Sequence, residues 1–292
     1  MKGGGKLPSW LSGALALCAF GALAWLERRR PLRAGRESKP ARAGRNLAFA
    51  AAGAAALRLT EAPLARRLTA LVERRRWGLL KLASLPAWLE VAAAVVLLDY
   101  TLYLWHVLTH RVPRLWRYHV VHHIDLDLDA TTALRFHFAE LVISAPWRAA
   151  QIIVVGVSPL SLSVWQTLLM LSVLFHHSNV RLPVGFERRL NLLFVTPRMH
   201  GIHHSAVREE TDSNWSSGLT LWDRLHGTLR LDVPQGEIDI GVPAYRDPHE
   251  IRLLSMLALP FGEQRPTWRP RGTGPEPRRE HPGPELQQKL SA

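Results

Sequence analysis

The chain of 292 residues contains a single cysteine, Cys18. That excludes an internal disulfide framework and any cysteine-built zinc or iron–sulfur site, so a bound metal has to be held by nitrogen and oxygen. Acidic residues are also scarce, 24 against 37 Lys and Arg, which gives a net charge of +13. Such an excess suggests nucleic acid when the bases share one face with interleaved aromatics. Here Arg28, Arg29, Arg30 and Arg33 follow directly on an apolar run, where charges set the orientation of a membrane helix, so no nucleic-acid partner is expected. Nucleotide, flavin and haem motifs are missing as well: the lone GTG at 272–274 has neither a strand before it nor a helix after it. The Glu-x-x-His repeats of a carboxylate-bridged di-iron bundle are absent, although His137 and Glu140 give the reverse order once.

What is present is apolar and collected in blocks. Residues 8–26 carry no charge and span about 28 Å as a helix, enough for a bilayer core, with Trp10 and Trp25 near the two ends as interface anchors. A cleaved signal peptide is the alternative. The weak n-region and the strong charge after the run favour an uncleaved anchor. Residues 27–45 form a basic linker whose arginines place it on the cytoplasmic side. Residues 46–57 reach only about 18 Å as a helix and cross only if their flanks join in. Residues 66–82, basic with leucines at helical intervals, read as an interfacial amphipathic helix, and the number of crossings before residue 85 stays open.

Residues 85–105 make the best internal span, with Asp99 as its one deep acid. Two further apolar runs, 138–155 and 160–175, are split by Gly-Val-Ser-Pro and predict a hairpin that returns to the side it left. The expected fold is therefore all-α, an integral membrane helical bundle with a cytoplasmic histidine-rich cap. Its divisions are a membrane anchor with basic linkers over 1–82, a histidine-bearing core over 83–232 and a largely irregular, basic, Pro-rich tail over 233–292, disordered from 264 onward. His249 and His281 in that tail are assigned no role.

On a helix, Asp99, Tyr103, His106 and His110 fall at i, i+4, i+7 and i+11, one polar stripe in an apolar segment. His119, His122 and His123 follow as H-x-x-H-H, and His200, His203 and His204 repeat that pattern, with His137, His176 and His177 between. A buried imidazole with an unpaired nitrogen costs about 1–3 kcal/mol, so ten of them rival the roughly 5–15 kcal/mol that holds a typical fold together. Metal ligation removes that cost. Neutral imidazole suits iron, zinc, copper and nickel, and one ion takes roughly four to six such ligands, so ten imply two ions. Asp99 and Tyr103 either close a polar pair between helices or orient a ligand imidazole. Asp212, Asn214 and Asp223 either hydrogen-bond ligands or cap turns. A zinc transporter is the second class considered, but it would place its ligands near mid-membrane and not at helix ends.

The runs His106-x-x-x-His110, His119-x-x-His122-His123 and His200-x-x-His203-His204, with HHSN around His177 and the closing WDRLHGT, resemble the membrane-bound fatty acid hydroxylase and sterol desaturase superfamily over residues 85–230. The resemblance implies a non-haem centre of two iron ions on the cytoplasmic side of a helical membrane core. By position, its ligands are His106, His110, His119, His122, His123, His177, His200, His203 and His204, with His137 added. His176 and His226 stand where relatives more often carry Gln and Phe and fall outside the ligand set. Asp99, Tyr103 and Asn214 are candidates to support the ligands. The implied activity is O2-dependent hydroxylation or desaturation of a lipid, sterol, fatty acyl or related, with electrons from a separate donor of the cytochrome b5- or ferredoxin-type reductase kind.

Overall fold

The structure, a computed structural model, describes residues 5–271 and 274–279. His281 and the last part of the tail lie outside the described residues. The described chain is helical, and its only β-type pairings are three isolated bridges. In chain order the helices are α1 Ser9–Arg29, α2 Lys39–Leu59, α3 Glu61–Arg75, α4 Ala87–Arg111, α5 Pro113–His123, α6 Phe138–Val155, α7 Pro159–His177, α8 Val184–Leu190, α9 Pro197–His203, α10 Arg208–Thr211, α11 Leu221–Leu225 and α12 Leu253–Ala258. Among the described residues five stretches are long and apolar enough to cross a membrane: α1, the run from Lys39 to Lys81, α4, α6 and α7.

Two of these stretches come before residue 85. The second extends well beyond 46–57, because its flanks join in: α2 and α3 are separated only by Thr60, whose N–H and hydroxyl both donate to the Ala56 carbonyl. α3 continues α2 and is amphipathic. Its arginines face outward, while Ala65 and Val72 pack with Ile152 and Val155 of α6. This core of α3, α4, α6 and α7 also holds Ala94, Leu98, Leu102 and Trp165. Inside a bilayer such contacts act through dispersion and close fit, since lipid tails are as apolar as the side chains.

The hairpin forms where Gly-Val-Ser-Pro predicts it. Gly156 closes α6 at φ 83°, Ser158 caps α7 by accepting the Ser161 N–H at 3.1 Å, and Pro159 occupies the first turn. A Cβ at Gly156 would come within 2.8 Å of the Trp77 carbonyl, so the turn needs glycine twice over.

On the histidine side, buried ion pairs fix the irregular chain. Arg42 of α2, 1% exposed, donates to Asp125 at 2.9 Å, to Thr132 at 3.1 Å and to Asp129. Arg135, fully buried, donates to the Val121 carbonyl at 2.9 Å and to Asn46 at 3.2 Å. Glu27, at the end of α1, accepts the N–H groups of Ala130 and Asn179, both at 2.8 Å. The tail, over its described residues, combines irregular backbone with packing. Its backbone is largely irregular, yet Ile238, Ile240, Val242, Tyr245, Ile251 and Met256 are buried against α2, α5 and the 124–128 loop. Apolar residues on irregular backbone have no period, so the sequence pattern does not show them.

Candidate metal centre

Four helices deliver the imidazoles. α4 ends in His106 and His110, α7 ends in His177, and Pro113 and Pro197 open α5 and α9, which carry the two H-x-x-H-H runs. The ring nitrogens meet in two nests, each with its atoms within 4.8 Å of one another. One is formed by His106, His110, His119, His123 and His203, the other by His122, His177, His200 and His204. Successive residues of a helix point about 100° apart, while residues four apart share a face. Each run is therefore divided between the nests: His119 and His123 enter the first and His122 the second, while His200 and His204 enter the second and His203 the first. The nests touch, with the His123 and His204 rings stacked at 4.4 Å.

Backbone carbonyls set the tautomers. A carbonyl can only accept, so a ring nitrogen bonded to one carries the proton. His106 Nδ1–H donates to Trp215 O at 2.7 Å, His203 Nδ1–H to Ser213 O at 2.8 Å, His122 Nδ1–H to Arg135 O at 3.2 Å and His177 Nδ1–H to Val173 O at 2.8 Å. His119 Nδ1–H donates instead to the Glu140 carboxylate at 2.8 Å. In a neutral ring with Nδ1 so engaged, only the Nε2 lone pair is left to offer. Burial pushes His122, His123, His200 and His204 well below the ordinary imidazole value, neighbouring imidazoles add to the effect, and burial takes His203 down to about 3.

In the second nest two such lone pairs, those of His122 and His177, face each other. His122 Nε2 and His177 Nε2 are 3.0 Å apart with no proton available between them. His177 to His200 is 3.0 Å and His200 to His204 is 3.1 Å. Ligands at right angles on an ion with bonds of about 2.0–2.1 Å stand about 3 Å apart, so the second nest has the edge lengths of a coordination shell. In the first, His119 Nε2, His123 Nε2, His203 Nε2 and both nitrogens of His110 are buried without a protein partner. Nitrogen-only donor sets of five and four suit a divalent transition metal in each nest.

The remaining candidates stand elsewhere. His137 lies in neither nest, because both its nitrogens serve the backbone: Nδ1 accepts the Ala139 N–H at 3.1 Å as the cap of α6, and Nε2 donates to Leu257 O at 3.2 Å. His176 is also outside both nests, packed 4.1 Å from the His200 ring, and His226 hydrogen-bonds the Tyr100 hydroxyl at 3.3 Å. Asp99 touches no ligand. Its carboxylate accepts the Leu219 N–H at 2.9 Å and the Trp222 Nε1–H at 2.7 Å, tying α4 to the closing segment. Tyr103 reaches Thr228 at 3.1 Å, and Asn214, at φ 55°, bonds Met199, Arg230 and no histidine. Asp223 supports the centre indirectly by holding the N–H groups of Trp215 and Ser216 at 3.0 and 2.9 Å. Sequence reasoning missed the role of Glu140, and the lone His-x-x-Glu at 137–140 was the only trace of it.

A cavity of about 570 Å³ runs from the histidines into the helix bundle. His106, His119, His122, His177 and His200 close one end, and Leu102, Trp105, Leu141, Trp165 and Leu169 form apolar wall.

These features define the class, a multi-pass membrane protein with a paired histidine centre at the closed end of an intramembrane cavity. Residues 91–228 match the fatty acid hydroxylase family. It is 32% identical over 180 residues to an ornithine lipid hydroxylase, OlsE, of Rhizobium tropici, covering 61% of this chain and 52% of the relative. A cholesterol 25-hydroxylase-like protein of Danio rerio is 32% identical over 152 residues, 49% of this chain and 56% of the relative. The alkylglycerol monooxygenase of Homo sapiens is 30% identical over 141 residues, 46% and 29%. The chain thus spans about half the length of the first two and less of the third. No solved structure matches. These relatives lend no support to the zinc-transporter alternative.

Proposed function

We propose that the protein is a membrane-bound di-iron lipid hydroxylase. His106, His110, His119, His123 and His203 hold one iron and His122, His177, His200 and His204 the other. The observation that carries this is the facing of unprotonated Nε2 atoms 3.0 Å apart at the end of an apolar cavity, an arrangement that a cation satisfies. Bound iron supplies O2 activation toward an unactivated C–H bond with two external electrons and two protons, one oxygen atom going to carbon and the other leaving as water. The chain's own residues position and exclude. Glu140 and the carbonyls of Ser213, Trp215, Arg135 and Val173 hold the rings, and the cavity wall keeps water from the reacting carbon. The names of the relatives favour hydroxylation over desaturation and a membrane lipid as substrate. Electrons come from a separate reductase system, as no flavin or haem motif accompanies the centre. The arginines Arg28, Arg29, Arg30 and Arg33 at the histidine end of α1 support a cytoplasmic side for the centre, since basic residues favour that side of a membrane helix.

The test is turnover under 18O2 with a reductant and total lipid extract. One labelled oxygen per product molecule is expected, with product lost in His122→Ala. Product without label, or undiminished in His122→Ala, would contradict the reading.

A further inference from the structure

The end of the cavity away from the histidines is charged. Arg148 of α6 and Glu61 of α3 both line it, with Gln166 of α7. Gln166 stands eleven residues before His177, about 17 Å along the helix, so these groups lie deep among the membrane-crossing segments. Arg148 donates to Gln151 at 3.1 Å and lies 4.9 Å from the centre of the Trp165 ring. Among the described residues no carboxylate oxygen comes within 4.0 Å of it, and Glu61 acts on it only at longer range. Opposite charges that share one low-dielectric cavity without closing on each other leave a donor and an acceptor facing the space between.

We propose that Arg148 and Glu61 receive the hydroxyl group of an amphiphile whose apolar body extends to the histidine end. An anionic head would be drawn to Arg148 but repelled by Glu61, and an ammonium head the reverse. A hydroxyl accepts from the guanidinium and donates to the carboxylate at once, and it enters an apolar cavity at a smaller desolvation cost than an ion. Gln166 adds an amide that can serve either way. The proposal deepens the lipid-hydroxylase reading, since it makes the hydroxyl-bearing amphiphile the substrate class. The binding it asserts requires neither iron nor turnover.

The experiment is equilibrium binding to the full chain in nanodiscs, with labelled cetyl alcohol, hexadecane, palmitate and hexadecylamine as probes. Cetyl alcohol should bind about tenfold more tightly than hexadecane and more tightly than either ion. Arg148→Leu, Glu61→Leu and the double variant, in which no charge is left alone, should each remove that preference while hexadecane binding and metal content stay unchanged. Equal affinity for alcohol and alkane in the unaltered protein overturns the proposal, as does stronger binding of palmitate or hexadecylamine, or a preference that survives all three variants. If the alcohol preference is found but no 18O enters lipid, the subsite stands and the oxygenase reading falls.

Discussion

A neutral imidazole whose Nδ1–H donates to a carbonyl has only its Nε2 lone pair left to offer, and that constraint makes the histidines here more than an accumulation of polar residues. Nine of the ten expected ligands converge, which the doubled H-x-x-H-H made legible. The tenth, His137, was not separable by sequence, because a ring that caps a helix and a ring that binds metal look alike in a string of letters. The acceptors of the ring protons were equally hidden, since four are backbone carbonyls contributed by residues of unrelated type. Glu140→Gln should lower metal affinity about 10–100-fold by weakening the hold on His119, read as the metal dissociation constant with the fold intact by circular dichroism. Acid should also act at this scale. His203 titrates near 3 in the folded chain against about 6.5 unfolded, so between those values the unfolded state binds more protons than the folded one. The melting temperature of the metal-free protein should therefore be level above pH about 6.5 and decline as pH falls toward 3; a rise over that window would contradict the burial assigned to this ring.

Elements deliver the rings, and here the sequence was legible in part. The polar stripe of α4 and the hairpin of α6 and α7 follow from period and turn chemistry. The clasp around Arg42 does not, because its acids come from a loop that is 83 to 87 residues away in sequence. Arg42→Ala leaves Asp125 and Asp129 buried without their shared cation and should destabilise the fold by about 3–5 kcal/mol, measured by denaturant melts in detergent. Asp99 illustrates an ambiguity that pattern alone could not settle. It sits on the ligand stripe yet bonds the closing segment, and a Cβ at Gly218 would collide with its carboxylate. Asp99→Ala strands the Leu219 N–H and the Trp222 Nε1–H, and should cost about 1–3 kcal/mol of stability while metal stoichiometry is retained.

At the scale of the molecule, α4 and α7, the two apolar stretches that end in candidate ligands, bring those ends to one side, and a cavity descends from the histidine nests into the bundle. Neither the cavity nor the packed tail could be read from periodicity, since both depend on which faces meet across long stretches of chain. The arrangement accounts for why a mean hydropathy near zero coexists with membrane helices: the arginines cluster at helix ends and joints, and the apolar residues form the spans between them. Iron stoichiometry with Mössbauer spectroscopy on 57Fe-loaded protein tests the central claim most directly. Two nitrogen-ligated irons per chain are expected in the unaltered protein, and one in either His110→Ala or His204→Ala, whose rings belong to different nests. A single iron in the unaltered protein, or two irons retained in both variants, would contradict the account.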